Sequence, residues 1–417
     1  MGLKIIIVGA GIGGLAAAIA LRKDDREITI LEQSSISQEI GATISLQPNA
    51  SKIVEGQWGL ARKLKERGSM VDEAFEVYNL DGEMQIRIPL MTRDKYGAER
   101  MMYHRADLHQ TLKERATAPE YPGQGATVRT SSRVVSCDCK KGTVTLATGE
   151  ALSADLIIGA DGIKSAIRNG VLGDEIIAQP TGLSAYRMMI PSDILEQEAD
   201  FVKVIDPRKS CTTMVIGPDR RLIMGPARNG SIYSIVALVP DDNMKEDSAT
   251  TNWTTNGDHD KMMSTFADFP EWAKKPLLLA KDTALGLWQL RDLDPLPIWY
   301  RGRAILIGDA AHAMLPTQGQ GASQAVEDAE ALGAFYDGFE QANTDSSLDS
   351  VTRVNQEIFR CRYDRATTIQ AYSRDAAKPA NAPGDRKVNM NPAEFMDYNC
   401  SYSGALDWQT RQAIPPA

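Results

Sequence analysis

The run Gly9-Ala10-Gly11-Ile12-Gly13-Gly14 stands between an apolar segment and an Ala-rich one, with the spacing G-x-G-x-x-G. Each glycine suits a task at a dinucleotide. Gly9 permits a tight turn, Gly11 lets the backbone approach a pyrophosphate, and Gly14 allows close contact between helix and strand. Gly13 is placed with them at the cofactor. The helix that follows offers free N–H groups and the positive end of its dipole to an anion. Glu32 ends the next apolar run about 20 residues on, where an acid binds ribose hydroxyls, and Gln33 adjoins it. The competing account is an ordinary Gly-rich turn with a surface glutamate. The strand-like run before and the helical run after favour the dinucleotide. These glycines do not separate NAD from FAD.

Two more segments carry an acid just after an apolar run. In 302–312, Asp309 follows a buried-strand sequence and precedes the Gly-rich Pro316-Thr317-Gln318-Gly319-Gln320-Gly321-Ala322. A helix N-cap is one role for such an aspartate. In 155–168, Asp161-Gly162 makes a turn, Ser165 suits a cap or a phosphate, and Arg168 offers a fork for an anion. A capped helix after a strand is the plainer account of that segment. His312 reads as a packed polar residue.

These residues need a frame. Leu3–Val8, then 15–22, then 27–32 read as strand, helix and strand, a βαβ unit with a right-handed crossover. The apolar runs 155–159 and 303–308 join it as strands of one parallel sheet, gathered from distant sequence. Between 180 and 290 the character changes. Runs at 214–216, 222–224 and 234–239 are short, β-like and separated by turns such as Gly217-Pro218-Asp219 and Asn229-Gly230, which predicts an antiparallel sheet. Residues 241–260 are polar and predict a loop; 322–339 predict a helix. Beyond 375, Pro379, Pro383, Pro392, Pro415 and Pro416 predict an irregular tail that wraps the surface or is partly disordered, with covering the pocket or mediating a dimer as its alternative roles. The fold class is therefore α/β: a Rossmann-like domain with a parallel sheet (1–70, 101–180 and 291–375), a substrate domain on an antiparallel sheet (71–100 and 181–290), and a tail (376–417).

The run from Arg303 to Leu332, with Gly308-Asp309-Ala310-Ala311-His312 and Pro316 to Ala322, resembles the FAD-contacting motif of the single-component aromatic hydroxylases, the group A flavoprotein monooxygenases typified by salicylate hydroxylase. The resemblance implies that Asp309 binds ribityl or ribose hydroxyls and that Pro316, Gly319, Gln320, Gly321 and Ala322 line the isoalloxazine. A helix starting near Ala322 would aim its positive end at the flavin N1–C2=O edge and stabilise the anionic reduced flavin. The segment around Asp161 and Gly162 resembles the family's Asp-Gly motif, which helps bind FAD and the nicotinamide cofactor. Tyr103-His104-Arg105-Ala106-Asp107-Leu108 resembles an element whose arginine reaches FAD, which assigns Arg105; a salt-bridged surface arginine is the alternative. Gly41-Ala42-Thr43-Ile44 through Pro48-Asn49-Ala50 resembles the loop whose backbone approaches the flavin. The motifs run in family order over 3–375. They imply the para-hydroxybenzoate hydroxylase-like fold, FAD and NAD(P)H as cofactors, and hydroxylation of an aromatic or phenolic molecule by O2 through a flavin C4a-hydroperoxide. With one complete fingerprint in the chain, the reductant should bind transiently and leave.

Substrate contacts must then come from the β-rich middle. Arg187 suits a carboxylate or phenolate, Tyr186 could help deprotonate a phenol, and Met214, Met224 and Tyr233 stand in strands expected to face the flavin. Ordinary strand packing competes for each. His259, in the polar stretch, is a poor base candidate. An alternative chemistry is epoxidation or dearomatising hydroxylation of a polycyclic or prenylated natural product. A different class is a flavin-fold escort protein, for which the Asp309 and 316–322 set would be superfluous.

Composition bounds the rest. The 417 residues are 43% hydrophobic and 24% charged, a soluble globular balance. A net charge of -9 argues against a nucleic-acid partner. No apolar stretch reaches the ~18 residues of a membrane span. The five cysteines are sparse, with Cys137 and Cys139 as C-x-C and no ligand pair nearby, so free thiols in the reducing cytoplasm are expected and no metal site. Monomer and homodimer both remain open.

Overall fold

Leu3–Val8 is rich in β-branched apolar residues, which fit a strand covered on both faces. The computed structural model places it near the centre of a sheet; it describes residues 2–35, 42–241, 254–339, 348–377 and 388–413. Leu3–Val8 runs parallel to Leu156–Gly159 on one side and Arg26–Leu31 on the other, with Ile6 opposite Ile157 and Thr29. Ala304–Leu306 and Thr127–Arg129 extend the sheet, also in parallel. Among the described residues it has six strands, with antiparallel Tyr300–Arg301 at one edge. Three distant stretches of chain thus deliver their turns to the same end of one sheet.

The helix Ile12–Leu21 begins inside the glycine run, three residues before the expected start. It packs on the helix Gly321–Phe335. Small residues permit the approach: a Cβ on Gly333 would stand 2.9 Å from the carbonyl oxygen of Ala20.

The second sheet has eight strands among the described residues and is antiparallel except where Cys211–Ile216 runs parallel to Ala74–Tyr78. Its long strand Gln179–Pro191 pairs with Ile232–Pro240 and Gly286–Asp292. Side chains alternate along it. Tyr186, Met188 and Ile190 enter a core shared with Phe266, Trp272 and Leu277 of the helices behind the sheet. Leu183, Ala185 and Arg187 face the other way, into the cavity described below.

Two expectations change. The polar stretch 241–260 is not all loop: Thr254–Asn256 is a strand, and Asp258 caps the helix His259–Thr265 by accepting the Lys261 N–H at 3.0 Å; residues 242–253 lie outside the described residues. Among the described residues the C-terminal tail is helical rather than irregular. The helix Leu348–Ala377 is followed by Pro392–Cys400 and Ala405–Ala413. Pro392 occupies the first turn, where its missing N–H costs nothing, behind an Asn391–Glu394 capping box. Pro379, Pro383, Pro415 and Pro416 fall outside the described residues. Among the described residues, no helix is long and apolar enough to cross a membrane.

Candidate active site

A cavity of about 1000 Å³ opens between the C-terminal ends of the parallel strands and the face of the antiparallel sheet that bears Arg187. Ligands of open α/β sheets bind at that end of the strands.

The glycine run divides its labour by geometry. Gly9 has φ +103°, and a Cβ there would lie 2.4 Å from the Ala160 oxygen; on Gly14 it would lie 2.0 Å from the Gly9 oxygen. These two shape the turn. Gly11 and Gly13 line the cavity, and a Cβ on Gly11 would meet no atom within 4 Å. That open space beside a helix N-terminus fits an incoming pyrophosphate. Glu32 accepts the Ala10 N–H at 2.8 Å on one oxygen and the Ser34 N–H at 2.8 Å on the other. It ties the turn to the end of the second strand and retains lone pairs for ribose hydroxyls. Gln33 is exposed on the surface beside it.

Asp309 lines the cavity with its side chain open to that space; the surrounding protein raises its carboxyl pKa by desolvation, opposed by His312 and Arg105. It is the first residue of the short helix Asp309–His312, not its cap. Pro316, Gly319, Gly321 and Ala322 line the same wall, and the 15-residue helix Gly321–Phe335 points its N-terminus there. Gln320 differs. Its side chain turns inward, 1% exposed, and its Oε1 accepts from Asn49 at 3.3 Å and Gln324 at 3.1 Å, so only its backbone is left for the wall.

Behind this wall lies a buried ionic network absent from the sequence expectations. Asp328 accepts from Gly308 N–H at 2.9 Å, His312 Nε2 at 2.7 Å and Arg362 Nε at 2.9 Å. His312 and Arg362 hold its pKa down at about 2 against the cost of burial. Glu327 takes Arg362, both Nε and Nη2 of Arg365 at 2.8 Å, and Asn49 at 2.5 Å. The network therefore fixes the short helix that begins at Asp309 and the short helix Pro48–Ser51 that carries Asn49 to one scaffold. His312 is packed there, as expected.

On the other flank, Ala42 and Arg105 line the cavity, and the Arg105 N–H bonds the Ala42 oxygen at 2.8 Å. Gly41 lies outside the described residues. Gly162, φ +73°, lines it too. Asp161 does not; its carboxylate accepts the Ala166 and Ile167 N–H groups at 2.7 and 3.2 Å and so positions Gly162. Ser165 caps the next helix at Arg168 N, 2.9 Å. Arg168 is no anion fork: its guanidinium is spent on the carbonyls of Ala310, Ile163 and Ile176.

On the sheet side, Arg187 faces the cavity with its guanidinium 5.0 Å from the Trp288 ring centroid. Burial and the charge of Arg105 both lower its pKa. Met214, Ile223, Val236 and Leu238 supply apolar surface. Tyr186 and Tyr233 are corrected. Both point to the opposite face, at most 1% exposed in the packed core, because alternate residues of a strand take alternate faces. Met224 also packs into that core at the cavity's edge. His259 bonds the Leu277 oxygen at 3.0 Å and serves structure. Ser45 and Gln47, within the stretch expected to approach the flavin, line the cavity next to Gly319; sequence reasoning missed Arg100 beside them, and Tyr372, Phe395 and Met396. In the sequence Arg100 is one charge among many; it acquires its place by pairing at 3.2 Å with buried Asp72.

The sequence pattern of the family described as FAD binding domain matches residues 2–338. The chain is 32% identical over 383 residues to hispidin-3-hydroxylase of Neonothopanus nambi, covering 89% of this chain and 87% of that one. It is 31% identical over 379 residues to 3-hydroxybenzoate 6-hydroxylase 1 of Aquipseudomonas alcaligenes, covering 90% and 88%. A solved salicylate hydroxylase substrate complex superposes with a TM-score of 0.76 at 28% identity, covering 100% of this chain and 99% of that one.

Proposed function

The chain belongs to the FAD-binding family of FAD-dependent monooxygenases, and on that footing we propose that it hydroxylates a phenol or aromatic acid with NAD(P)H as reductant and O2 as oxidant. The reaction balances as ArH + O2 + NAD(P)H + H⁺ giving ArOH + H2O + NAD(P)⁺. Bound FAD supplies the electron relay and the delivery of one oxygen atom.

The observation that carries the reading is that one cavity brings together the Gly11 cradle, Asp309, the 316–322 wall and, from the other sheet, Arg187. Gly11, Gly13 and the helix behind them hold the pyrophosphate; Glu32 and Asp309 take hydroxyls; Ala42, Arg105 and the wall seat the ring system. Arg187 pairs with a carboxylate or phenolate and orients the ring. The apolar strands around it exclude water. The positive end of Gly321–Phe335 would favour negative charge on a ring system seated at its N-terminus. Oxidation of a larger polycyclic or prenylated substrate is the second reading, favoured by the size of the cavity and by Met214 on its wall. Free thiols at all five cysteines support action in the cytoplasm.

The test is a visible spectrum of the purified protein followed by stopped-flow reduction with NADH and NADPH, with and without a panel of phenolic acids. Acceleration by a phenol together with a hydroxylated product is expected. A bound flavin that NAD(P)H never reduces would sink the proposal.

A further inference from the structure

The helix Pro392–Cys400 contributes Pro392, Phe395, Met396, Asn399 and Cys400 to the cavity lining. Their spacing is the i, i+3, i+4, i+7 stripe of one helical face. The helix is anchored at both ends and on its outer side. The capping box closes its start: Asn391 Oδ1 accepts from Ala393 and Glu394 at 3.0 Å, and Glu394 accepts the Asn391 N–H at 2.8 Å. Arg365 donates to the carbonyls of Tyr398 and Asn399 at 2.6 and 2.7 Å, placing a cation at the negative end of the helix. Asp397 takes Lys95 and Tyr96. Phe395 is 1% exposed and stacks on Tyr372 with ring centroids 3.4 Å apart.

Such fastening makes a fixed wall. Arg365 also grips Glu327, the carboxylate that holds Asn49, so the wall is braced against the flavin side of the cavity. Within the stripe, Phe395, Asn399 and Cys400 are buried, whereas Met396 keeps accessible surface where it lines the cavity. A thioether on a three-bond stem adapts to flat aromatic faces and limits the depth available to them.

We infer that the helix Pro392–Cys400 is the substrate-selecting wall of the cavity, and that Met396 sets the size of the aromatic ring system admitted. The inference rests on the monooxygenase reading for its ligand class, a phenolic acid.

The experiment titrates the flavin-loaded protein, without NAD(P)H, with a one-ring hydroxybenzoate and a two-ring hydroxynaphthoate, and follows the perturbation of the flavin spectrum. Met396→Ala should weaken the one-ring ligand about 3- to 10-fold, the worth of a lost sulfur–aromatic contact, and strengthen the two-ring ligand. Met396→Trp should shift the preference the other way, weakening the two-ring ligand about 10-fold or more by overpacking. FAD affinity should stay unchanged in both. An unaltered preference in Met396→Ala, with FAD still bound, overturns the inference, and that variant carries the test should the Trp variant not fold. Perturbation of the wild-type flavin by neither ligand overturns the ligand class. Shifts of the expected sign without phenol-stimulated NAD(P)H oxidation would uphold the wall and refute the monooxygenase proposal.

Discussion

Gly11 and Gly14 are both glycines of one turn, yet their replacement by alanine should fail for different reasons. At Gly11 the backbone is extended (φ -72°, ψ -175°), which any residue adopts, and a new Cβ meets no atom within 4 Å. The apoprotein should lose only the difference between glycine and alanine at a helix N-cap, about 0.5–1 kcal/mol. The ligand is affected much more. An N–H···O bond to phosphate spans about 2.9 Å, whereas a methyl carbon holds its neighbours at about 3.5–4 Å. The pyrophosphate is pushed back and one or two charge-assisted bonds are lost, each worth about 1.5–3 kcal/mol. FAD affinity should fall roughly 10- to 10,000-fold. At Gly14 the Cβ would lie 2.0 Å from the Gly9 oxygen, so the turn itself must open and the apoprotein should be destabilised by about 1–3 kcal/mol or more. Urea unfolding of the apoproteins and fluorescence titration with FAD separate the two. If Gly11→Ala bound FAD within about 2-fold of the wild type, the pyrophosphate would have to lie elsewhere and the cradle argument would be wrong.

Asp309→Asn should weaken FAD about 10-fold, the loss of a hydrogen bond to a charged acceptor. It should not harm the apoprotein: the raised pKa of Asp309 means its protonated form is the favoured one, an advantage lost as pH rises, and because the side chain is exposed and screened, Asn should leave a thermal melt near neutral pH unchanged or slightly raised. Asp328 behaves oppositely. Its pKa is held down at about 2, so its contribution, about 2 kcal/mol, is present above the ordinary aspartate range and disappears as pH falls through about 2. Asp328→Asn should cost about 3–5 kcal/mol at neutral pH by leaving Arg362 partly unpaired, and should flatten the acid limb of a stability-versus-pH curve; an unchanged limb would contradict the network's role. Tyr186→Phe should leave turnover unaltered and match or exceed wild-type stability by up to about 1 kcal/mol, because the buried hydroxyl has no partner among the described residues; a large drop in phenol turnover would return Tyr186 to the site.

The cofactor side of this protein was legible in its sequence because it is written in contiguous runs. A strand, a glycine turn and a helix are local objects, and Gly9 to Gly14, Asp309 and 316–322 each carry their geometry in neighbouring residues. Even there, alternation and burial redistributed roles: Asp161 and Gln320 turned to structural hydrogen bonds while their neighbours Gly162 and Gly319 faced the cavity. The substrate side was read less well. One residue of register decides that Arg187 enters the cavity and Tyr186 the core, and nothing short of strand pairing with Ile232–Pro240 and Gly286–Asp292 sets which face is which. The helices of the C-terminal tail were misread as irregular because prolines at a helix start and in a linker look alike in sequence. By itself the sequence determined the dinucleotide-binding βαβ unit and the order of the cofactor motifs, since these depend on short-range propensity and spacing. The tertiary structure decided which side chains surround the substrate, since those contacts join residues hundreds of positions apart and exist only once the two sheets and the last helices have packed.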